Sequence, residues 1–145
     1  GCQYSPLVVA TEVGAPVIIK NSDPVFHNVK SMPSSSEGEN KNLNQNFNVM
    51  MPKQYQQEVK IFSQPQLFVQ TKCSIHPWMK AHIAIFDHPF YAVTNNLGQF
   101  LIEQIPQGHY TLKIWHEILG EKIIDVTINE DNTNPMSIIL KGTSL

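Results

Sequence analysis

Apolar and polar residues alternate in short runs along this chain, and the runs are separated by Gly, Pro, Asn and Ser. Alternation is clearest in Val59-Lys60-Ile61 and in His82-Ile83-Ala84-Ile85-Phe86. A period of two is the mark of a strand with one face covered. The pattern predicts strands over Leu7 to Thr11, Pro16 to Lys20, Phe26 to Lys30, Gln57 to Phe62, Leu67 to Thr71 and Ala81 to Phe86. Further strands are expected at Phe90 to Val93, Gln99 to Glu103, Tyr110 to Trp115, Lys122 to Ile128 and Met136 to Leu140. No window of 11 or more residues carries the i, i+3, i+4, i+7 apolar spacing of an amphipathic helix, so the expected fold class is an all-β sandwich.

Breaks in the pattern set the organisation. Asn95-Asn96-Leu97-Gly98 and Pro106-Gln107-Gly108 read as turns, because Asn and Gly tolerate positive φ and Pro presets the first corner. The almost purely polar segment from Ser34 to Asn46 has too little apolar surface to join a core and reads as a surface loop. Asp87-His88-Pro89 is the expected seam between two β units, residues 1–87 and 88–145.

Composition narrows the function. The chain has 145 residues, 41% of them hydrophobic and 15% charged, enough to bury a core and too apolar for wholesale disorder. Ten lysines, no arginine and twelve acids give a net charge of −2, so a basic stripe or a bidentate phosphate fork is missing and nucleic acid is not an expected partner. No apolar run approaches the roughly 18–20 residues of a transmembrane span. Two cysteines are too few for a disulfide scaffold or a paired Cys-x-x-Cys zinc ribbon. Six histidines and five methionines accompany them, and the question is whether any converge.

They do so most visibly in Lys72-Cys73-Ser74-Ile75-His76-Pro77-Trp78-Met79, where Cys-x-x-His-x-x-Met follows directly on a predicted strand. Thiolate, imidazole and thioether are soft to borderline donors, a set that selects copper over calcium or magnesium. A trigonal Cys-His-His plane with a weak axial Met lacks one imidazole, and Asn21-Ser22-Asp23-Pro24-Val25-Phe26-His27-Asn28-Val29 offers His27 at a strand end. Taken singly, His27 reads as a loop histidine, Met79 as a core filler and Cys73 as a small buried hydrophobe. Order and spacing together carry the metal reading.

On these residues the first 87 positions resemble the cupredoxins, the blue copper proteins, with a ligand loop most similar to that of the amicyanins. Tyr4-Ser5-Pro6, then Val8-Val9 and the Gly14 turn, are similar to the early aromatic-x-Pro strand of that family. The resemblance implies a Greek-key sandwich holding one mononuclear copper ion, with His27, Cys73 and His76 equatorial, Met79 axial and Asn28 pinning the two loops together. It implies a one-electron carrier and not an enzyme, since the site has no open position for a substrate. A redox partner would dock near His76 and Trp78. The chain begins at Gly1 rather than Met, and the expected location is the periplasm or another exported compartment. The alternatives are a copper carrier or sensor, with Met50 and Met51 as accessory donors, and a structural β module whose site is empty.

Three readings of Cys2 stay open: an inert side chain, a thiol for partner or disulfide chemistry, or a second-site ligand near the copper. On an alternating strand His82 faces the same side as Ala84 and Phe86, so a buried or rim position reads as readily as ligation. An auxiliary metal site from His88, His116 and Glu117 would require those side chains to converge. From His88 onward, Gly98-Gln99-Phe100 and Ile105-Pro106-Gln107-Gly108-His109-Tyr110 are similar to the carboxypeptidase regulatory-like, transthyretin-like modules, which implies packing or partner docking and no peptidase activity. The whole chain is similar to the cupredoxin proteins labelled methylamine-utilisation-like.

Overall fold

A computed structural model describes residues 1–32, 47–130 and 135–142. The polar segment from Ser34 to Asn46, read as a surface loop, lies outside the described residues. Nine strands and no helix occur among the described residues. They are β1 (Val8–Glu12), β2 (Pro16–Lys20), β3 (His27–Met32), β4 (Asn48–Met51), β5 (Gln57–Ile61), β6 (Gln66–Lys72), β7 (Lys80–Phe86), β8 (Gly108–His116) and β9 (Gly120–Ile128). No helix among them is long and apolar enough to cross a membrane. By backbone proximity the chain forms two compact units, Gly1–Leu101 and Ile102–Leu145.

The first unit is a β-sandwich. Its larger sheet has the order β1-β7-β6-β3-β4, and β2 pairs with β5 in a second, two-stranded sheet. β1 runs parallel to β7, with Val8 opposite His82 and Glu12 opposite Phe86, while the other pairs of this sheet are antiparallel. Parallel neighbours need a long crossover, and here nearly the whole unit lies between β1 and β7. The β1–β2 connection is tight. Gly14 takes φ +81°, a conformation that costs glycine little, and the Ala15 N–H donates to Glu12 O at 3.1 Å.

Alternation places the core. Phe62, Val69, Ile83 and Ile85 are buried together, with Val9, Val13, Val17 and Phe47 packed around them. β7 is buried over five consecutive residues, Ala81 to Ile85, as expected of a central strand covered on both faces. The pairing of β6 with β7 shifts between Gln66 and Val69, and Phe68 stands there at φ +61°, the signature of a bulge.

The second unit contains the antiparallel β8–β9 hairpin, with register from Gly108 opposite Ile128 to His116 opposite Gly120. Three expected strands are not formed. Phe90 to Val93, Gln99 to Glu103 and Met136 to Leu140 have strand-like composition but no ladder partner among the described residues. A strand exists only where its N–H and C=O groups find a partner, and propensity alone does not supply one. Asn95 to Gly98 is a turn as expected: Gly98 N–H donates to Asn95 O at 2.9 Å, and the Asn95 side chain caps Leu97 and Gln99.

Candidate metal centre

Strand register alone brings the two sequence-distant pieces of the site together. β3 and β6 are antiparallel, with Lys30 opposite Lys72 and Met32 opposite Gln70. β6 ends at Lys72, so the start of β3, where His27 sits, runs alongside the loop that opens with Cys73. That loop is closed by its own backbone: Cys73 N–H donates to Met79 O at 3.3 Å, and Met79 N–H donates to His76 O at 2.9 Å. His76-Pro77-Trp78-Met79 is therefore a hydrogen-bonded turn with proline at its first corner, where its fixed φ suits the geometry.

Three donor atoms face one another. His27 Nδ1 and His76 Nδ1 are 3.1 Å apart, and Cys73 Sγ lies 3.7 Å from His76 Nδ1 and 4.0 Å from His27 Nδ1. With bond lengths of about 2.0–2.3 Å to nitrogen and sulfur, three donors in a plane around one ion stand about 3.5–3.8 Å apart. The observed edges bracket that size: the edge between the two Nδ1 atoms is shorter, the edge from Cys73 to His27 is longer, and the edge from Cys73 to His76 falls within it. His27 and Cys73 are 5% and 3% exposed and His76 is half-buried. Met79 is buried at the end of the same loop.

Outer contacts hold the triangle. Asn28, itself buried, accepts the Ser74 N–H on Oδ1 at 2.7 Å and donates from Nδ2 to Asn48 Oδ1 at 2.7 Å and Ser74 Oγ at 3.2 Å. Its Oδ1 also lies 3.5 Å from Cys73 Sγ. One amide side chain thus ties β3, β4 and the Cys73 loop together. Asn28→Ala leaves the Ser74 N–H without this acceptor and should cost about 1–3 kcal/mol of apoprotein stability. Urea unfolding checks this, and an unchanged midpoint would remove Asn28 from the support of the loop.

Burial alone would push the Cys73 thiol up, but donation from the backbone N–H groups of Asn28, His76 and Ile75, together with its contact with the His27 ring, outweighs it. The thiol comes down from the ordinary 9.0 to about 6. Cys73 is then a thiolate at neutral pH, the form a metal requires. Tyr4, whose hydroxyl donates to Asn28 O at 3.3 Å, is pushed up by burial and by the nearby Cys73 charge, and stays neutral. Because the folded thiol is the stronger acid, its contribution to apoprotein stability is fully present above 9.0 and is lost as pH falls through about 6. The expected result is a thiolate ultraviolet band that titrates near about 6 and is missing in the difference between wild type and Cys73→Ser if the assignment is wrong.

Asp23 is the contributor that sequence reasoning passed over, although it stood in the quoted Asn21-Ser22-Asp23 segment. Its Oδ2 accepts the Cys2 N–H at 2.7 Å and the His27 Nε2–H at 3.0 Å. Those two donors, in that order, hold its carboxyl below the usual carboxylate range.

Cys2 also reaches the site. Cys2, His27 and His76 have ligand atoms within 4.8 Å of one another, with Cys2 Sγ 4.0 Å from Nε2 of His76. The two sulfurs therefore flank His76 on opposite ring nitrogens. The two nitrogens of one imidazole point apart, so a single ion bound at Nδ1 is not reached by a donor placed at Nε2. The Cys2 carbonyl accepts the Trp78 Nε1–H at 2.9 Å, and the Trp78 and His76 rings are 5.3 Å apart. Neither cysteine is in a disulfide.

Met51, opposite His27 in the β3–β4 ladder, is fully buried, while Met50 is exposed. His82 is buried. His88 Nδ1 accepts the Phe90 N–H, and His116 Nδ1 accepts the N–H groups of Ile118 and Leu119, so each ring caps its own turn.

The solved structures this chain resembles are cupredoxins. One is a purple cupredoxin from Nitrosopumilus maritimus, 26% identical over 58% of this chain and 82% of that one, with a TM-score of 0.48. Two amicyanin variants follow, one in its reduced state at 19% identity over 59% and 74% of the two chains, and one in the Cu(I) form at 17% over 58% and 73%, each with a TM-score of 0.46. No family model and no curated protein matches the chain.

Proposed function

We propose that this chain is a type 1 copper protein that carries one electron at a time through a mononuclear site made by His27, Cys73, His76 and Met79. The observation that carries the reading is the triangle of Cys73 Sγ and the two Nδ1 atoms, with all three separations at or below 4.0 Å. Cys73 would bind as thiolate, His27 and His76 through Nδ1, and Met79 would supply a weaker thioether donor. Bound copper would supply the Cu(I)/Cu(II) couple.

The chain's own part is to keep the donors where they are. Asn28 and the Cys73–Met79 backbone bonds hold the loop, burial of His27 and Cys73 keeps water out, and a site so fixed rearranges little between oxidation states. The reading is non-enzymatic, because buried donors and a closed loop leave no room for a substrate. Trp78, 66% exposed beside the half-buried His76, is the proposed contact for a redox partner. An exported location and a separate C-terminal module belong to the same reading, the module beginning at residue 88 by sequence pattern and at Ile102 by backbone proximity.

Cyclic voltammetry and line-broadening of the copper-loaded protein test it. A reversible one-electron wave with rapid self-exchange is expected. Fast loss of copper to a modest chelator, with sluggish exchange, would instead point to a protein that delivers the metal.

A further inference from the structure

Asp23 joins two parts of the chain at a single atom. Its Oδ2 accepts the backbone N–H of Cys2 at 2.7 Å and the ring N–H of His27 at 3.0 Å. The carboxylate is well held: Asp23 N–H donates to Asn21 Oδ1 at 2.9 Å, and Asn21, itself buried, donates from Nδ2 to Val25 O and Met51 O. An ionised carboxylate only accepts, so the His27 proton in this contact sits on Nε2. In the neutral ring the Nδ1 lone pair is then directed at His76 Nδ1 and Cys73 Sγ, the side on which the donor triangle closes.

We propose that Asp23 is a positioning residue: it locks His27 in the Nε2–H tautomer and, through its negative charge against that ring, strengthens Nδ1 as a donor and favours Cu(II) over Cu(I). The tautomer half concerns the apoprotein and stands apart from any metal; the second half rests on the copper reading above. A carboxylate against the outer nitrogen of a ligating histidine raises ligand basicity, and removal of such a partner typically costs roughly 10–100-fold in metal affinity. The more highly charged ion gains more from the added negative charge, so the two oxidation states are affected unequally.

A purely structural role would look different. Asp23 also anchors Cys2, whose carbonyl receives the Trp78 ring N–H. Asp23→Asn keeps an oxygen acceptor of the same reach for both donors and removes only the charge, whereas Asp23→Ala removes both. Nitrogen-15 NMR of the apoprotein histidines reads the tautomer, and competition titrations with Cu(II) and Cu(I) chelators read the two affinities.

The expected results are Nε2–H for His27 in wild type, a mixture of tautomers in Asp23→Ala, and in Asp23→Asn a Cu(II) affinity lower by roughly 10–100-fold with a smaller loss for Cu(I). A proton on Nδ1 in the wild type, an unchanged tautomer in Asp23→Ala, or an unchanged Cu(II)/Cu(I) affinity ratio in Asp23→Asn would each overturn the proposal. Should the wild type form no copper–thiolate band, the copper reading fails by itself, and the apoprotein nitrogen shifts decide the proposal.

Discussion

Replacing Cys73 by serine abolishes the visible thiolate-to-copper absorption of the Cu(II)-loaded protein. Serine keeps the size and the loop contacts but offers no thiolate, and that band requires sulfur bonded to the metal. Cys73 is the sulfur that stands within 4.0 Å of both Nδ1 atoms. Copper affinity falls with it, since the strongest anionic donor of the triangle is gone, and competition against a chelator measures the loss. Cys2→Ser is the paired experiment. Cys2 faces Nε2 of His76, the outward nitrogen, so its removal leaves the band in place. A band that survives Cys73→Ser and vanishes in Cys2→Ser would reverse the assignment of the two sulfurs.

The second large effect belongs to the core. Ile85 is fully buried on the central strand β7, packed with Phe62, Val69 and Ile83. Truncation to alanine leaves a cavity among these side chains and should cost about 2–5 kcal/mol. Ile18→Ala is the control, because Ile18 is 62% exposed on β2 and its truncation should move stability by no more than about 0.5 kcal/mol. Urea unfolding of the two variants separates them. Equal losses would contradict the assignment of the buried cluster as the core of the first unit.

The sequence pattern made much of this legible, and the reasons differ from residue to residue. Six strands of the first unit show in apolar runs or alternation, and β2 occurs over the expected Pro16–Lys20. β4 does not show, because Asn48-Val49-Met50-Met51 has neither strong alternation nor β-branched weight; it is a strand through its ladder with β3. Phe90 to Val93 and Gln99 to Glu103 show the reverse error, β-prone composition with no pairing neighbour among the described residues. Spacing sufficed for Cys73, His76 and Met79, which share one loop. It also picked out His27, yet only the β3–β6 register explains why a residue 46 positions away arrives there.

Contacts made by backbone atoms were beyond the reach of pattern. The approach of Cys2 to His76 spans 74 positions and depends on its carbonyl and N–H being held by Trp78 and Asp23. Asp23 lies four residues before His27, a separation with no special meaning outside a helix. Its carboxylate reaches the ring because Asn21 folds the intervening turn.

The central claim is that Cys73, His27 and His76 bind one copper ion as a thiolate and two imidazoles. Titration of the purified apoprotein with Cu(II), followed by visible absorption and EPR, addresses it most directly. The account predicts an intense thiolate-to-copper charge-transfer band that saturates at one copper per chain, with the EPR signal of a single, uniform Cu(II) species. Copper binding without that band, or no binding at all, would contradict it.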